Sequence, residues 1–175
     1  MTTTWNLDSM HSEIGFKVRH MMISNVSGSF GAFSANVASE GDDFANSNIN
    51  FEAEIDSINT GVADRDGHLK SADFFDGATY PNLNFKSTSV ANNGEGNLTI
   101  SGDLTIKGVT KAVTLEGELS EVAVDPYGQT KVGLSVSGKI KRSEFGLSWG
   151  AVTEAGHVVL GDDIKINSEL QFIKQ

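Results

Sequence analysis

No cysteine occurs in the chain, which excludes a disulfide framework, a thiol nucleophile and a zinc-thiolate centre. Apolar runs are short, and none approaches the roughly 20 residues that a membrane-crossing helix needs. Positive charge is thin. Thirteen Lys and Arg stand against twenty-three Asp and Glu, for a formal net charge of −10. The basic residues are scattered, with only Lys139, Lys141 and Arg142 close together. Nothing in that distribution could neutralise a run of phosphates, so no nucleic-acid partner is expected. The first residues, MTTTWNLDSMHSE, have neither the basic start nor the apolar core of a secretory leader, which favours the cytoplasm. A processed periplasmic chain with a new Met in front is the alternative. Proline is scarce too, at two residues against nineteen glycines, a balance that fits an all-β protein rich in turns and bends.

What is present is alternation. At 175 residues the chain suits one domain spanning residues 1–175 with a sizeable core. Ile14, Phe16, Val18 and His20 share one strand face, opposite Glu13, Lys17 and Arg19. Residues 21–26 break the pattern and are expected to form a turn or a short helical piece. Phe30 starts the next strand. Phe33, Ala35 and Val37 continue it in the opposite phase, so a bulge near Gly31 is expected. Residues 40–48 read as a polar loop. Ile49, Phe51, Ala53 and Ile55 alternate cleanly, and Leu83 and Phe85 share a face further on. Then comes a regular meander: Leu98 to Ile106, Val113 to Leu119, Val132 to Ile140 and Ile164 to Phe172. About eight strands with one apolar face each and short connections predict an antiparallel up-and-down barrel, which buries those faces and removes the edges.

One stretch cannot be a strand. Residues 63–76, ADRDGHLKSADFFD, carry no β-branched residue, and before Phe74 and Phe75 their only large apolar residue is Leu69, set among charges. A single short helix against one end of the sheet is expected there. As a lid or plug over that end it would turn Leu69, Phe74 and Phe75 inward, with its charges as the solvated face.

The inner faces carry the functional signal. Gly102, Gly117 and Gly138 fall in phase with the apolar inward positions of three consecutive strands. Glycine there either keeps the lumen open for a ligand or permits the coiling that a barrel needs. Ten phenylalanines against two tyrosines and two tryptophans give a lining with little polar handle, suited to a long hydrocarbon or to an ordinary Phe-rich core. His20 points inward with Ile14, Phe16 and Val18. It is either a core histidine bonded to a backbone carbonyl or a polar contact for a ligand headgroup.

Catalytic and metal signals are weak. His11 and His20 lie at an odd interval that cannot place both on one face of a regular strand, and His68 and His157 are far away. Asp64, Asp66 and Gly67 hint at a calcium loop, but its glycine and closing glutamate are not at the required positions. The two aspartates suit a helix start instead. No nucleophile elbow and no Gly-rich phosphate loop occurs. No metal and no cofactor is expected.

Several blocks in order resemble the YceI-like family of bacterial polyisoprenoid-binding proteins. They begin with Trp5, Asp8, His11-Ser12, Ile14, Phe16, Val18 and His20, followed by Gly28-Ser29-Phe30. Next come Arg65-Asp66-x-His68-Leu69-Lys70-Ser71-x-Asp73-Phe74-Phe75-Asp76 and Tyr80-Pro81-x-Leu83-x-Phe85. Gly102-Asp103-Leu104-Thr105-Ile106-x-Gly108-Val109-Thr110-Lys111, Arg142-x-x-Phe145-Gly146 and Ile164-x-Ile166-x-x-Glu169 complete the set. The resemblance implies an extended lipocalin-like barrel with a helix beside it and a long apolar tunnel. It implies binding, transport or storage of a polyprenyl lipid, an isoprenoid quinone or a similar amphiphile, without catalytic residues. Many members are exported to the periplasm.

The expected ligand contacts are Phe16, Val18, His20, Phe30, Phe33, Phe51, Ile55, Leu69, Phe74, Phe75, Phe85, Ile100, Gly102, Leu115, Gly117, Leu134, Val136 and Gly138. A homodimer is compatible with a carrier of this shape. The rival readings are an enzyme acting on the same lipids through His20 and a nearby acid, and a dry-core barrel serving as an interaction module.

Overall fold

The computed structural model describes residues 2–20, 24–147 and 160–175, with the backbone alone for His20 and Leu160. In chain order its elements are β1 (Thr3–Leu7), β2 (Glu13–His20), β3 (Ser24–Phe30), β4 (Phe33–Ser39), β5 (Asn48–Glu54), β6 (Ile58–Asn59) and helix α1 (Ala63–Lys70). Then follow β7 (Asn82–Asn92), β8 (Asn97–Ile106), β9 (Val109–Leu119), the short β10 (Ala123–Val124), β11 (Thr130–Lys141) and β12 (Leu160–Lys174). Three 3₁₀ turns join them at Ser9–His11, Ile55–Ser57 and Arg142–Phe145.

The segments combine into a closed antiparallel barrel of eight long strands. β1 and β2 form one broken strand, β3 and β4 the second, and β5 and β6 the third. The break is shared. β2 pairs with β3 through Ile14 and Phe30, whereas β1 pairs with β4 through Asn6 and Asn36. β4 pairs with β5 through Phe33 and Ala53, and β3 pairs with β6 through Phe30 and Ile58. Between the halves, Gly31 N–H donates to Ser57 O at 3.1 Å and Glu54 N–H to Ala32 O at 2.9 Å. The irregularity expected near Gly31 is therefore a two-residue break that lets Phe30 and Phe33 both turn inward despite their odd spacing. β7, β8, β9, β11 and β12 complete the meander. β12 closes it by pairing with β11 on one edge and with β1 and β2 end to end on the other.

Two details differ from the sequence reading. Residues 24–26 belong to β3, with Val26 opposite Val18, because the ladder with β2 satisfies the backbone even where the side chains do not alternate by polarity. Residues 21–23 lie outside the described residues. The polar loop after β4 also hides a core residue. Phe44 is fully buried although its φ is 60°, a backbone region that a bulky side chain rarely adopts.

Burial explains the tolerance of that strain. The Phe44 ring stands 5.5 Å from Trp5 and 6.1 Å from Phe172, edge-on to both. All three are fully buried. Trp5 Nε1 donates to Ser39 Oγ at 3.1 Å, and Ser39 Oγ donates to Gly41 O at 2.7 Å, so the one polar atom of the cluster is satisfied. This aromatic floor seals the end of the barrel opposite α1. Replacing Phe44 with alanine is predicted to lower unfolding free energy by roughly 3–5 kcal/mol, while Tyr127→Ala, at an 89% exposed position, should change it by no more than about 0.5 kcal/mol. Urea unfolding of both variants checks the contrast.

Candidate functional site

Above the floor the barrel is hollow. Alternation, interrupted at Ser87–Ser89 on β7 and at Leu160–Ile164 on β12, turns one face of each strand inward. Those faces bound a cavity in which the centre of a water-sized sphere can roam through about 190 Å³. Its wall is built from Ile14, Phe16 and Val18 on β2, Phe30 on β3, Ala35 on β4, Ile49 and Phe51 on β5, and Leu83 and Phe85 on β7. Ile100, Leu104 and Ile106 on β8, Val113 and Leu115 on β9, and Leu134, Val136 and Ile140 on β11 continue it. β12 adds Ile164, Ile166, Ser168, Leu170 and Phe172. Space remains between the walls.

The segment that follows β6 covers the helix end. Helix α1 is short and has no side-chain cap at Val62. It is anchored from inside its first turn instead. Asp66 Oδ1 accepts from Thr60 N–H at 2.8 Å and from Thr60 Oγ1 at 2.5 Å. These bonds outweigh partial burial and hold the Asp66 carboxyl below its ordinary pKa. After Lys70 the chain turns back on the helix. Phe75 N–H donates to Leu69 O at 3.0 Å and Gly77 N–H to Lys70 O at 2.9 Å. That turn delivers Leu69, Phe74 and Phe75 to the cavity, as the sequence led us to expect. Phe75 meets Phe30 edge-on at 6.3 Å. His68 holds Phe74 from behind, with ring centroids 5.1 Å apart, and shares a 2.9 Å contact between its Nε2 and Asp73.

Twelve of the expected contact residues therefore face one cavity: Phe16, Val18, Phe30, Phe51, Leu69, Phe74, Phe75, Phe85, Ile100, Leu115, Leu134 and Val136. The side chain of His20 lies outside the described residues, as does all of His157. Phe33 packs against the core without bordering the cavity, because it sits at the start of β4 next to the chain break. Ile55 is 1% exposed but belongs to a 3₁₀ turn after β5, where it packs beside Gly77 and its N–H donates to Pro81 O at 2.8 Å. It supports the cover from outside the lumen.

The three in-phase glycines do not border the cavity either, for one shared reason. Each lies under a neighbouring side chain. A β-carbon built at Gly102 would stand 2.6 Å from Phe85 Cζ, and one at Gly138 would stand 2.4 Å from Leu115 Cδ2. At Gly117 it would meet Ile100 and Leu134 at 3.2 Å. Gly28, not anticipated, does the same for Phe16, whose Cζ would be 2.4 Å away. Phe16, Phe85 and Leu115 thus recline on bare backbone instead of standing into the lumen. The glycines widen the cavity at one remove.

Sequence reasoning missed Arg142, the only charged side chain in the wall among the described residues. It is 7% exposed. Its Nε donates to Gly161 O at 2.8 Å and its Nη1 to Leu147 O at 2.7 Å. Burial pulls the guanidinium below its ordinary pKa, opposed by the charge of Asp162. The signal was present: β11 turns Val136, Gly138 and Ile140 inward, and the same period carried one step further reaches Arg142. Among the described residues no cluster of three His, Cys, Asp or Glu side chains could hold a metal ion, and no helix is long and apolar enough to cross a membrane.

The reclining side chains give a graded prediction. At Gly138 an added methyl meets only the end of a flexible leucine, so Gly138→Ala should cost no more than about 1 kcal/mol and swing Leu115 into the lumen. At Gly102 it also meets Lys86 O at 2.5 Å, a backbone atom that cannot step aside, so Gly102→Ala should cost about 1–3 kcal/mol. Thermal unfolding ranks the two, and a crystal structure of the Gly138 variant reads the leucine.

Known proteins share this architecture. The campylobacterial YceI protein, from Campylobacter jejuni, is 34% identical, with 96% of each chain covered and a TM-score of 0.76. BcnA of Burkholderia cenocepacia has the same fold at 24% identity, with a TM-score of 0.82 over 94% of this chain and 98% of that one. A polyisoprenoid binding domain from Saccharophagus degradans, implicated in plant cell wall breakdown, also shares it, at 16% identity and a TM-score of 0.75 over 98% of both chains. UPF0312 proteins of Staphylococcus aureus are 35% identical over 171 residues, 97% of either chain. The YceI-like domain profile matches residues 5–172, so the chain belongs to the YceI-like family.

Proposed function

We propose that this protein binds a long isoprenoid lipid, or an amphiphile of similar shape, in the barrel lumen and carries or stores it without chemical change. The observation that carries the reading is the wall itself: apolar on every strand, closed below by Trp5, Phe44 and Phe172, and covered above by Leu69, Phe74 and Phe75. The cavity, with about 190 Å³ open to the centre of a water-sized sphere, has room for a run of methylene groups. Each contributes about 0.8 kcal/mol on leaving water, enough to offset the cost of immobilising the ligand without a charged clamp. The printed description of the Saccharophagus neighbour as a polyisoprenoid binding domain supports the ligand class. An amphiphile that enters tail first would leave its polar end at the helix end, near Arg142.

Phe74 and Phe75 act as a lid. They cover the cavity from a turn attached to a short helix, which can move without breaking the barrel ladder. The Phe74→Ala, Phe75→Ala double variant should therefore release lipid several-fold faster while ranking different lipids in the same order. Stopped-flow transfer to acceptor vesicles measures the release; an unchanged rate contradicts the lid. For the binding itself, native mass spectrometry and organic extraction of purified protein should reveal a co-purifying lipid, or uptake of an added polyprenyl lipid or isoprenoid quinone. Protein that stays lipid-free in both tests overturns the reading.

A further inference from the structure

The lumen-facing positions of β12 run Ile164, Ile166, Ser168, Leu170 and Phe172, so a single hydroxyl interrupts an apolar stripe. Ser168 is 6% exposed and stands between Ile14 of β2 and Val136 of β11, both of which line the same wall. Two other buried serines have structural work. Ser39 bridges Trp5 and Gly41, and Ser87 Oγ accepts from Ile49 N–H at 2.8 Å. Ser47 Oγ is buried without a hydrogen-bond partner in the loop after Phe44, away from the cavity. Among the described residues no hydrogen bond reaches Ser168 Oγ either, but unlike Ser47 it borders the cavity.

A hydroxyl buried without a partner is costly, so its position in a ligand cavity specifies something about the occupant. The depth can be read along β12. Arg142 is bonded to Gly161 at the helix end, and Ser168 lies about 23 Å of strand further in, at about 3.3 Å per residue. Phe172, in the floor, is about 13 Å beyond it. The surroundings decide the charge of the partner. Ser168 can give or take one hydrogen bond, and its cross-strand neighbours are apolar, so an ionised group there would be left without compensation.

Building on the lipid-binding reading, we propose that the occupant of the lumen carries an uncharged oxygen, a hydroxyl or carbonyl, that meets Ser168 roughly two-thirds of the way to the floor. Two kinds of lipid have this chemistry: a neutral head group that enters first, and an oxygen within a chain that enters tail first and leaves its polar end at Arg142.

Two pairs of probes separate them, each tested by displacement of an apolar fluorophore from the delipidated full-length protein. The first pair is a primary long-chain alcohol and the alkane of equal length. The second is a fatty acid and its mid-chain hydroxy or keto derivative. The oxygen-bearing member of one pair should bind about three- to tenfold more tightly, as one neutral hydrogen bond implies. Ser168→Ala should abolish that preference and Ser168→Thr should keep it, a pattern that loss of packing alone does not produce. Equal binding within both pairs, or a preference that survives in Ser168→Ala, overturns the proposal. If the chains bind without discrimination, only this inference fails. If no chain displaces the fluorophore from the wild-type protein, the lipid-binding reading fails with it.

Discussion

The pairing of β11 with β12 closes the sheet, and the rest of the structure depends on that closure. An open sheet with one apolar face would expose it to water and leave two edges ready to pair with other chains. Closing it solves both problems and creates a third. A barrel of eight strands is only just wide enough for its own side chains to fill. An open lumen in such a barrel needs side chains that do not stand upright. Phe16, Phe85 and Leu115 meet that requirement by lying over Gly28, Gly102 and Gly138. The hollow is a property of pairs of positions on adjacent strands, not of small residues alone.

Closure also divides the labour between the two ends. At the floor, the rings of Trp5, Phe44 and Phe172 interlock, and burial there is strong enough to hold Phe44 at a positive φ. At the other end the cover is a short helix and a turn, held by hydrogen bonds to Thr60 and along its own backbone and by the burial of Phe74 and Phe75. The floor is packed ring on ring, whereas the cover is carried by one helix and the turn after it.

Legibility followed the range of the forces involved. Alternation is local, so β8, β9, β11 and the inward residues of β2 could be read directly, as could the helix in residues 63–76, where alternation fails. The irregularity near Gly31 was visible because a phase change is also local. Three features depended on partners distant in sequence, and a fourth had a local signal. Phe44 sits among Glu40, Asp42 and Asp43 and looks like loop until Trp5 and Phe172 arrive. β1 is too short to declare itself without β4 and β12. The glycines were recognised as inward, but what lies over them is set by register with the next strand. Arg142 was passed over as one more basic residue beside Lys139 and Lys141, though its parity sets it apart from both.

The central claim is that the lumen is a lipid site, and the most direct measurement is a crystal structure of the protein after incubation with a polyprenyl alcohol or an isoprenoid quinone. Continuous tubular density running from Arg142 past Ser168 toward Phe172, with Phe74 and Phe75 closed over it, is the result this account predicts. A lumen holding only water, or collapsed so that Phe16, Phe51 and Phe85 meet across it, would contradict it.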